Sequence, residues 1–466
     1  MILADSPLAG EASKGNMVLR IGNAQGFWGD QIDAPANLIR QAPDLDYLTL
    51  DYLSEVSMSI MSIQQEKDPT AGYARDFVDV VASLVPHWKQ GLSFRVITNA
   101  GGLNPEGCAK SCLEVLRKSG LGDKKIAVVL GDNALQQLRS DVNNPLFRNL
   151  DTGDPLSKID KDLTTATAYL GAKPIVEALS RSADIVITGR CADPSMTVGA
   201  CAFHYRWGWD QYDELAGATV AGHLIECGTQ VTGGISSNWL RLERKTNIGF
   251  PIAEVDEKGN CVITKPAETD GIVDEQTVKE QLLYEIEDPG NYLSPDVNVS
   301  FLSLELEEAG KDRIRISGAK GTPPRETLKI SATYRDGFKA EGLLTIVGDE
   351  VALKARLCGE ILLERIRRAG FMLEQSRVEC LGAGDATLGA AGIQNDLKEC
   401  VMRVCVKDHR RTAVERFTKE VASLVASGPQ GVTGYTTGRP KVRPVFGFWP
   451  CLARKADIRT TVKVIS

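Results

Sequence analysis

The spacing of hydrophobic and polar positions predicts strands that alternate with helices over the first half of the chain. Apolar runs of strand length lie at residues 18–22, 46–53, 94–98, 125–130 and 183–188, and segments of helical period, such as 165–182, lie between them. This alternation is typical of βαβ units around a parallel sheet. The sequence therefore predicts an α/β fold with an N-terminal Rossmann-like, doubly wound and mostly parallel sheet.

The pattern changes beyond residue 249. A predicted hairpin covers 249–264, and a turn-rich stretch lies at 289–295. Predicted strands at 327–334 and 341–347 precede a long helix at 350–369, and this succession is typical of a C-terminal α+β lobe. The predicted domains are an α/β domain at 18–292 with glycine-rich strand-end loops and an α+β domain at 293–466, after a disordered tail at 1–17.

Polar residues collect where the predicted parallel strands end. Asp51, Asp132 and Arg190 follow three of the strands, and glycine-containing loops follow two others. In an open parallel sheet, ligands bind at the carboxyl ends of the strands. A single polar ending carries little information, but five together predict a binding site at this edge of the sheet.

Two of the glycine-rich loops supply candidate substrate contacts. The run from Asn99 to Asn104 leaves a strand, turns at two glycines and enters a helical pattern, which is a geometry that cradles anions on backbone N–H groups. The alternative is a plain strand-to-helix connection in which glycine supplies only the turn. The predicted substrate-binding residues in the two loops are Gly29, Asp30, Asn99, Gly101, Gly102 and Asn104.

A second dense polar segment runs from Ala221 to Gly234. His223 and Glu226 lie three residues apart, which places them on one side of a helix and suits a proton-transfer pair or a metal pair. The alternative is a helix-end histidine bonded to the backbone. Thr232 and Gly233 complete the predicted substrate-binding residues.

Four residues carry the predicted catalytic chemistry. Chemistry next to a carbonyl group needs a base near the α-carbon and a group that stabilises the oxyanion. Asp51, His223 and Glu226 are the acid–base candidates. Arg190 is the predicted anion partner, because its planar fork matches a carboxylate or a phosphate. The alternative for Asp51 is a helix cap.

A divalent metal ion is the one cofactor that the sequence suggests. Asp132 and Asp193 each follow a predicted strand, and carboxylates are the ligands that hard divalent cations prefer. A metal ion at this edge would favour lyase chemistry. The cofactor is otherwise left open.

Composition limits the classes of function. The chain has 54 basic and 61 acidic residues, and a net charge of −7 argues against nucleic-acid binding and against an anionic membrane surface. Its apolar stretches fall short of the roughly 20 residues of a transmembrane helix. Eleven cysteines without a C-x-x-C pair predict free thiols in a reducing compartment. We therefore expect a cytoplasmic homo-oligomer without nucleic-acid or membrane partners.

Several longer motifs resemble those of one known family. They lie at Gly22–Asp30, Leu50–Leu53, Lys67–Tyr73, Thr98–Pro105, Ile187–Arg190, Ala221–Gly228, Lys279–Glu285 and Arg439–Pro444. Through these stretches the chain resembles the acyclic terpene utilisation (AtuA-type) family from about residue 18 to its end. The resemblance implies a role near the breakdown of citronellol- and geraniol-type terpenes as coenzyme A thioesters, and it supplies no settled catalytic residues.

Three hypotheses follow for the function. The first is an enzyme of acyl-CoA or related carboxylic acid metabolism, a lyase that either adds or removes water or cleaves a carbon–carbon bond. Its substrate would be a small acyl-CoA or carboxylic acid. The second is a nucleotide-dependent enzyme, although the chain has no complete P-loop or dinucleotide fingerprint. The third is a non-catalytic partner of an acyl-CoA carboxylase or tailoring complex.

Overall fold

The computed structural model describes residues 18–386, 396–434 and 438–465. The tail predicted at residues 1–17 lies outside the described residues. The chain forms two compact units: the first holds residues 18–158, 165–332 and 450–465, and the second holds residues 159–164 and 333–449. The sequence-based domain boundary at residue 292 stays a prediction.

The helices and strands have the following bounds. The helices are α1 (Ala34–Gln41), α2 (Glu55–Lys67), α3 (Asp76–Lys89), α4 (Pro105–Lys118), α5 (Leu135–Ser140), α6 (Lys173–Ser180), α7 (Ser195–Tyr205), α8 (Tyr212–Glu226), α9 (Glu275–Leu283), α10 (Val351–Arg368), α11 (Arg411–Val421) and α12 (Leu424–Ser427). The strands are β1 (Val18–Asn23), β2 (Tyr47–Leu50), β3 (Arg95–Thr98), β4 (Ile126–Leu130), β5 (Leu163–Ala168), β6 (Ile185–Thr188), β7 (Ile252–Asp256), β8 (Cys261–Thr264), β9 (Tyr292–Leu293), β10 (Asn298–Ser300), β11 (Glu305–Gly310), β12 (Arg313–Ser317), β13 (Lys320–Thr322), β14 (Thr327–Val347), β15 (Gln375–Leu381), β16 (Glu399–Asp408), β17 (Val432–Thr433), β18 (Arg443–Arg454) and β19 (Thr461–Ile465).

The main sheet of the first unit has parallel strands at its centre. Its strand order is β11-β12-β8-β7-β1-β2-β3-β6-β4-β19. Strands β1, β2, β3, β6 and β4 are parallel to their neighbours in this series, whereas β7 and β19 pair with the series in antiparallel fashion. Strands β2 and β6 are buried along their whole length, as expected for parallel strands with both faces covered. Helices α1, α3 and α4 pack together, and so do α6, α7 and α8.

Most elements predicted for the first half are confirmed, but one helix was wrong at its start. The segment 165–182 was predicted to be helical throughout, whereas β5 covers Leu163–Ala168 and α6 begins only at Lys173. Three threonines lie within β5, and their β-branched side chains favour extended backbone. The strand pairs with β14, so a tertiary partner decides its conformation.

The second unit contains a sheet in the order β15-β16-β14-β17, with β18 also paired to β14. Two strands were predicted at 327–334 and 341–347, and they are one continuous strand, β14, with Gly337 at a φ of +79° between them. Helices α10 and α11 pack on the sheet through a core that includes Leu344, Met402 and Phe417. Of the helices that the structure describes, none is long and apolar enough to cross a membrane.

Candidate functional site

The parallel strands bring four polar side chains to one edge of the first unit. Asp51 follows β2, Asn99 follows β3, Asp132 follows β4 and Arg190 follows β6. Because the strands are parallel, their carboxyl ends lie at the same edge of the sheet. All four residues are buried. Buried polar groups are costly unless they are hydrogen-bonded. The hydrogen-bond partners of each residue therefore indicate which chemistry its side chain can take part in.

Asn99 fixes the orientation of the Asp51 carboxyl group. Its Nδ2 donates to Asp51 Oδ1 at 2.6 Å, while its own Oδ1 accepts from the backbone N–H of Tyr52 at 2.7 Å. The backbone N–H of Leu53 donates to the same Asp51 oxygen at 3.2 Å. These bonds hold the carboxyl group in one orientation at the end of β2.

Arg190 is a buried cation among these groups. Its Nη1 donates to the carbonyl oxygen of Leu53 at 2.7 Å and to Asp193 Oδ1 at 2.8 Å. Its guanidinium carbon lies 4.2 Å from the centroid of the Tyr169 ring, within range of a cation–π interaction. Burial opposes the charge, but Asp193 and its neighbours keep the pKa of Arg190 well above its ordinary value. Arg190 therefore provides a permanent positive charge inside the site.

The carboxyl groups around Arg190 retain protons to a higher pH than usual. Burial raises the pKa of Asp51 well above its ordinary value, and the nearby charge of Asp193 raises it further. Burial and Asp193 raise the pKa of Glu226 in the same way. Burial raises the pKa of Asp132 to about 6, although its Oδ2 accepts from the backbone N–H of Arg190 at 2.9 Å. Carboxyl groups that titrate closer to neutral pH suit general acid–base catalysis.

His223 and Glu226, both on α8, form a direct pair. His223 Nε2 lies 2.8 Å from the carbonyl oxygen of Gln281, and a carbonyl oxygen only accepts, so Nε2 carries a proton. His223 Nδ1 lies 3.0 Å from Glu226 Oε1. Burial lowers the pKa of His223 to about 4, whereas the pKa of Glu226 is raised. We therefore assign a neutral histidine that accepts, at Nδ1, a hydrogen bond from the protonated Glu226 carboxyl group.

Three buried polar atoms in this region have no hydrogen-bond partner in the part of the chain that the structure describes. They are Arg190 Nε, Glu226 Oε2 and Gln281 Oε1. Arg190 Nε is a donor and Gln281 Oε1 is an acceptor, and Glu226 Oε2 is also an acceptor because the proton of this carboxyl group lies on Oε1. A buried group without a partner is costly in a folded protein, and a polar ligand would satisfy it. The site is therefore chemically complementary to a molecule with both acceptor and donor oxygens.

Aromatic rings lie against His223. The ring centroids of Tyr292 and Phe301 lie 6.1 and 6.0 Å from that of the histidine, and 5.6 Å from each other. Burial raises the pKa of Tyr292 well above its ordinary value, with Glu226 and Asp193 adding to the effect. The side chain of Asp193 is 31 % exposed, so water reaches the cluster at that residue. The region thus combines apolar rings with charged groups, as ligand sites commonly do.

The Asn99–Asn104 turn is closely packed within the protein. Gly102 has a φ of +50°, and its N–H donates to the carbonyl oxygen of Asn99 at 3.2 Å. A Cβ atom on Gly101 would lie 2.5 Å from the carbonyl oxygen of Thr188. Asn104 caps α4 through a 3.0 Å bond from a backbone N–H in its first turn. These contacts match the alternative in which glycine supplies turn geometry, and a substrate-binding role for the turn stays a prediction.

The other predicted substrate-binding residues also have partners in their own loops. Asp30 accepts hydrogen bonds from two backbone N–H groups nearby, and Gly29 has a φ of +109°. The Thr232 hydroxyl donates to the carbonyl oxygen of Gly249 at 2.6 Å, and Gly233 ends a 3₁₀ turn in the left-handed conformation. Their contact with a substrate stays a prediction.

Asp132 and Asp193 are the two predicted metal ligands, and both bond to Arg190. Asp132 accepts from the backbone of Arg190, and Asp193 pairs with its guanidinium group. Across residues 18–386, 396–434 and 438–465, the structure has no group of three or more His, Cys, Asp or Glu residues arranged to hold a metal ion. A divalent cation at the two aspartates stays a prediction. Burial raises the pKa of the adjacent Cys191 thiol to about 12, which disfavours a thiolate there.

Sequence reasoning missed three residues of the site. Gln281 lies on α9 within one of the family-like motifs, but nothing in its spacing marks it as a partner of His223. Tyr169 stacks on Arg190 and donates to Glu55 Oε1 at 2.6 Å, and Tyr292 lies beside His223. Tyrosine is common in cores, and no local pattern distinguishes these two from packing residues.

The fold and the site together define a mixed α/β protein with buried ionisable residues at the carboxyl edge of its parallel strands. The sequence model of the family described as acyclic terpene utilisation family protein AtuA matches residues 19–464, and the chain belongs to this family. The family resemblance inferred from the motifs is therefore confirmed. The comparisons find no curated protein and no solved structure that matches the chain.

Proposed function

We propose that the protein is a lyase that acts on an acyl-CoA or a related carboxylic acid in acyclic terpene utilisation. The observation that carries the proposal is the buried cation Arg190 surrounded by proton-holding carboxyl groups, of which Glu226 is paired with a neutral histidine. The parallel order β1-β2-β3-β6-β4 supports a Rossmann-like description of this sheet, with the ligand at its carboxyl edge.

In the proposed reaction, Arg190 stabilises negative charge on the substrate carbonyl oxygen. Its Nε has no hydrogen-bond partner among the residues that the structure describes, so it can donate to an oxyanion without giving up the bonds of Nη1. Charge stabilisation by donors that are already oriented is the largest single contribution in many enzymes. The cation also favours ionisation of Asp51, which burial and Asp193 oppose.

Asp51 and Glu226 divide the acid and base roles. For dehydration of a 3-hydroxyacyl group, the Asp51 carboxylate removes the proton from the α-carbon, and the C–H electron pair forms the new double bond. The carbon–oxygen bond then breaks, and the hydroxyl group leaves as water with the proton of Glu226. His223 accepts a hydrogen bond from Glu226 and orients that carboxyl group. Hydration is the reverse, and carbon–carbon cleavage would use the same acid and base.

Exchange of the α-proton tests the base step independently of the leaving group. The protein is incubated in deuterium oxide with branched 3-hydroxyacyl-CoA thioesters and with the corresponding free acids, and deuterium at the α-carbon is measured by mass spectrometry. We expect incorporation by the wild type and a loss of about 100-fold in Asp51→Asn. Asp79→Asn, at an exposed position on α3, is the matched control. Absence of both exchange and turnover with all these substrates would overturn the proposal.

A further inference from the structure

The second unit contains a cavity of about 440 Å³ whose lining is strongly basic. Ligand pockets commonly measure about 300–1,000 Å³, so this cavity is large enough for a small molecule. Its lining residues are Lys339, Ala340, Glu341, Leu343, Cys405, Val421, Gly438, Arg439, Pro440, Lys441 and Arg443.

Two strands and one connecting segment build this cavity. Lys339, Glu341 and Leu343 alternate along β14, and Glu341 is paired in register with Cys405 of β16. The segment 438–443 leads into β18 and supplies the other cations. The backbone pairing of β14 with β16 holds this wall of the cavity in place.

The lining of the cavity contains four cations. Lys339, Arg439, Lys441 and Arg443 are all exposed, and none takes part in an ion pair in the part of the chain that the structure describes. The one carboxylate of the lining, Glu341, lies 3.8 Å from the guanidinium of Arg403. The lining thus presents four positive charges that no carboxylate of the described residues pairs with, on a protein whose net charge is −7.

We propose that this cavity binds the phosphate groups of a nucleotide. Two arginines and two lysines match phosphate oxygens, since guanidinium groups bind phosphate through two parallel bonds and ammonium groups attract it as point charges. Leu343, Val421 and Pro440 add apolar surface against which a base can lie. On an acidic protein, a local cluster of unpaired cations selects an anionic ligand.

The inference goes beyond the proposed function and does not depend on it. Coenzyme A carries a pyrophosphate and a 3′-phosphate, so the nucleotide end of an acyl-CoA substrate has the required charge.

Binding of adenosine 3′,5′-bisphosphate to the full chain, measured by isothermal titration calorimetry, tests the inference. We expect binding that weakens as salt is added, and no binding of adenosine. The double variant Lys441→Glu/Arg443→Glu should bind at least about tenfold more weakly, because it replaces two cations that bind phosphate by two carboxylates that repel it. Both residues are exposed, so the variant should fold. Lys419→Glu, an exposed cation of α11 outside the cavity, is the matched control and should bind as the wild type does.

The outcomes separate this inference from the proposed function. No binding by the wild type, or equal binding by the double variant, overturns the nucleotide site even if the enzyme turns over acyl-CoA. Binding that is lost in the double variant supports the site even if no lyase activity is found.

Discussion

His223 and Glu226 are joined by a hydrogen bond of 3.0 Å between Nδ1 and Oε1, one helical turn apart on α8. The carbonyl oxygen of Gln281 fixes the proton of the histidine on Nε2. Because burial lowers the pKa of His223 to about 4, the histidine is neutral, and Glu226 supplies the proton of the bond it shares with Nδ1. Two residues that the sequence places three positions apart therefore form a pair with a defined proton position, in which the carboxyl group is the acid.

Glu226→Gln tests this assignment of the proton. The glutamine amide still donates to His223 Nδ1 but has no proton to transfer, so we expect the pair to remain and the rate of turnover to fall by about 100-fold or more. Turnover of the 3-hydroxyacyl substrates by wild type and variant measures the effect. Glu243→Gln, at an exposed position, should be silent. A rate within about threefold of wild type would remove Glu226 from the mechanism.

The same substitution should change the pH dependence of stability. Burial raises the pKa of Glu226 in the folded state above that of the unfolded chain. Its contribution to stability is therefore complete below the unfolded pKa of about 4.3 and is lost as pH rises through the folded pKa. Glutamine cannot ionise, so the Tm of Glu226→Gln relative to wild type should increase with pH over this interval. Thermal unfolding at several pH values measures it, and a difference that is constant with pH would contradict the raised pKa.

Much of the parallel core could be predicted from the sequence because its strands are short, mostly apolar runs. Strands β2, β3, β4 and β6 lie where the hydrophobic pattern predicts them, and Asp51 and Arg190 follow two of them. A parallel strand is buried on both faces, so its composition alone reveals it. The polar residues at the strand ends could also be identified from the sequence, because each follows an apolar run.

The rest depended on contacts between distant segments. Gln281 lies 58 positions from His223, and β19 joins the sheet beside β4 from the end of the chain. Strand β5 was predicted as a helix because its pairing with β14 is not encoded locally. The hydrogen bonds that both ends of the Asn99 amide make within the protein could not be predicted from the sequence, and its contact with a substrate stays a prediction.

Arg190→Lys tests whether Arg190 acts through its positive charge alone or also through the positions of its hydrogen-bond donors. Lysine keeps the positive charge but loses the Nε donor and the planar fork, so it cannot reproduce the bonds to Leu53 and Asp193 while it binds an oxyanion. We expect kcat/KM to fall by about 100-fold or more. Urea unfolding should show a loss of about 3–5 kcal/mol at most, since a buried ion pair is disturbed. If kcat/KM stays within about threefold of the wild-type value in the folded variant, Arg190 does not stabilise the transition state.

Asn99→Ala tests whether Asn99 acts as a positioning residue for Asp51. Its hydrogen bond lowers the pKa of Asp51 against the effect of burial, so removing it should raise that pKa. The acidic limb of the profile of kcat/KM against pH should then move to higher pH. Asn104→Ala is the control, because it removes a cap of α4, costs about 1 kcal/mol and should leave the profile in place. An unchanged profile in Asn99→Ala would leave Asn99 with a purely structural role.

Gly102→Ala distinguishes a packing role for the Asn99–Asn104 turn from a direct role in substrate binding. The residue has a φ of +50°, and an added Cβ atom would overlap the Met61 sulfur. Gly91 has a φ of +89° and no atom within 4 Å of an added Cβ, so Gly91→Ala carries the backbone strain without the overlap. Strain of this kind costs about 1–3 kcal/mol, and overpacking in a core costs a further 1–3 kcal/mol or so. Gly102→Ala should therefore lose clearly more stability than Gly91→Ala in urea unfolding. Equal losses would show that the overlap is relieved without cost, and any fall in activity of folded Gly102→Ala would then indicate contact between the turn and the substrate.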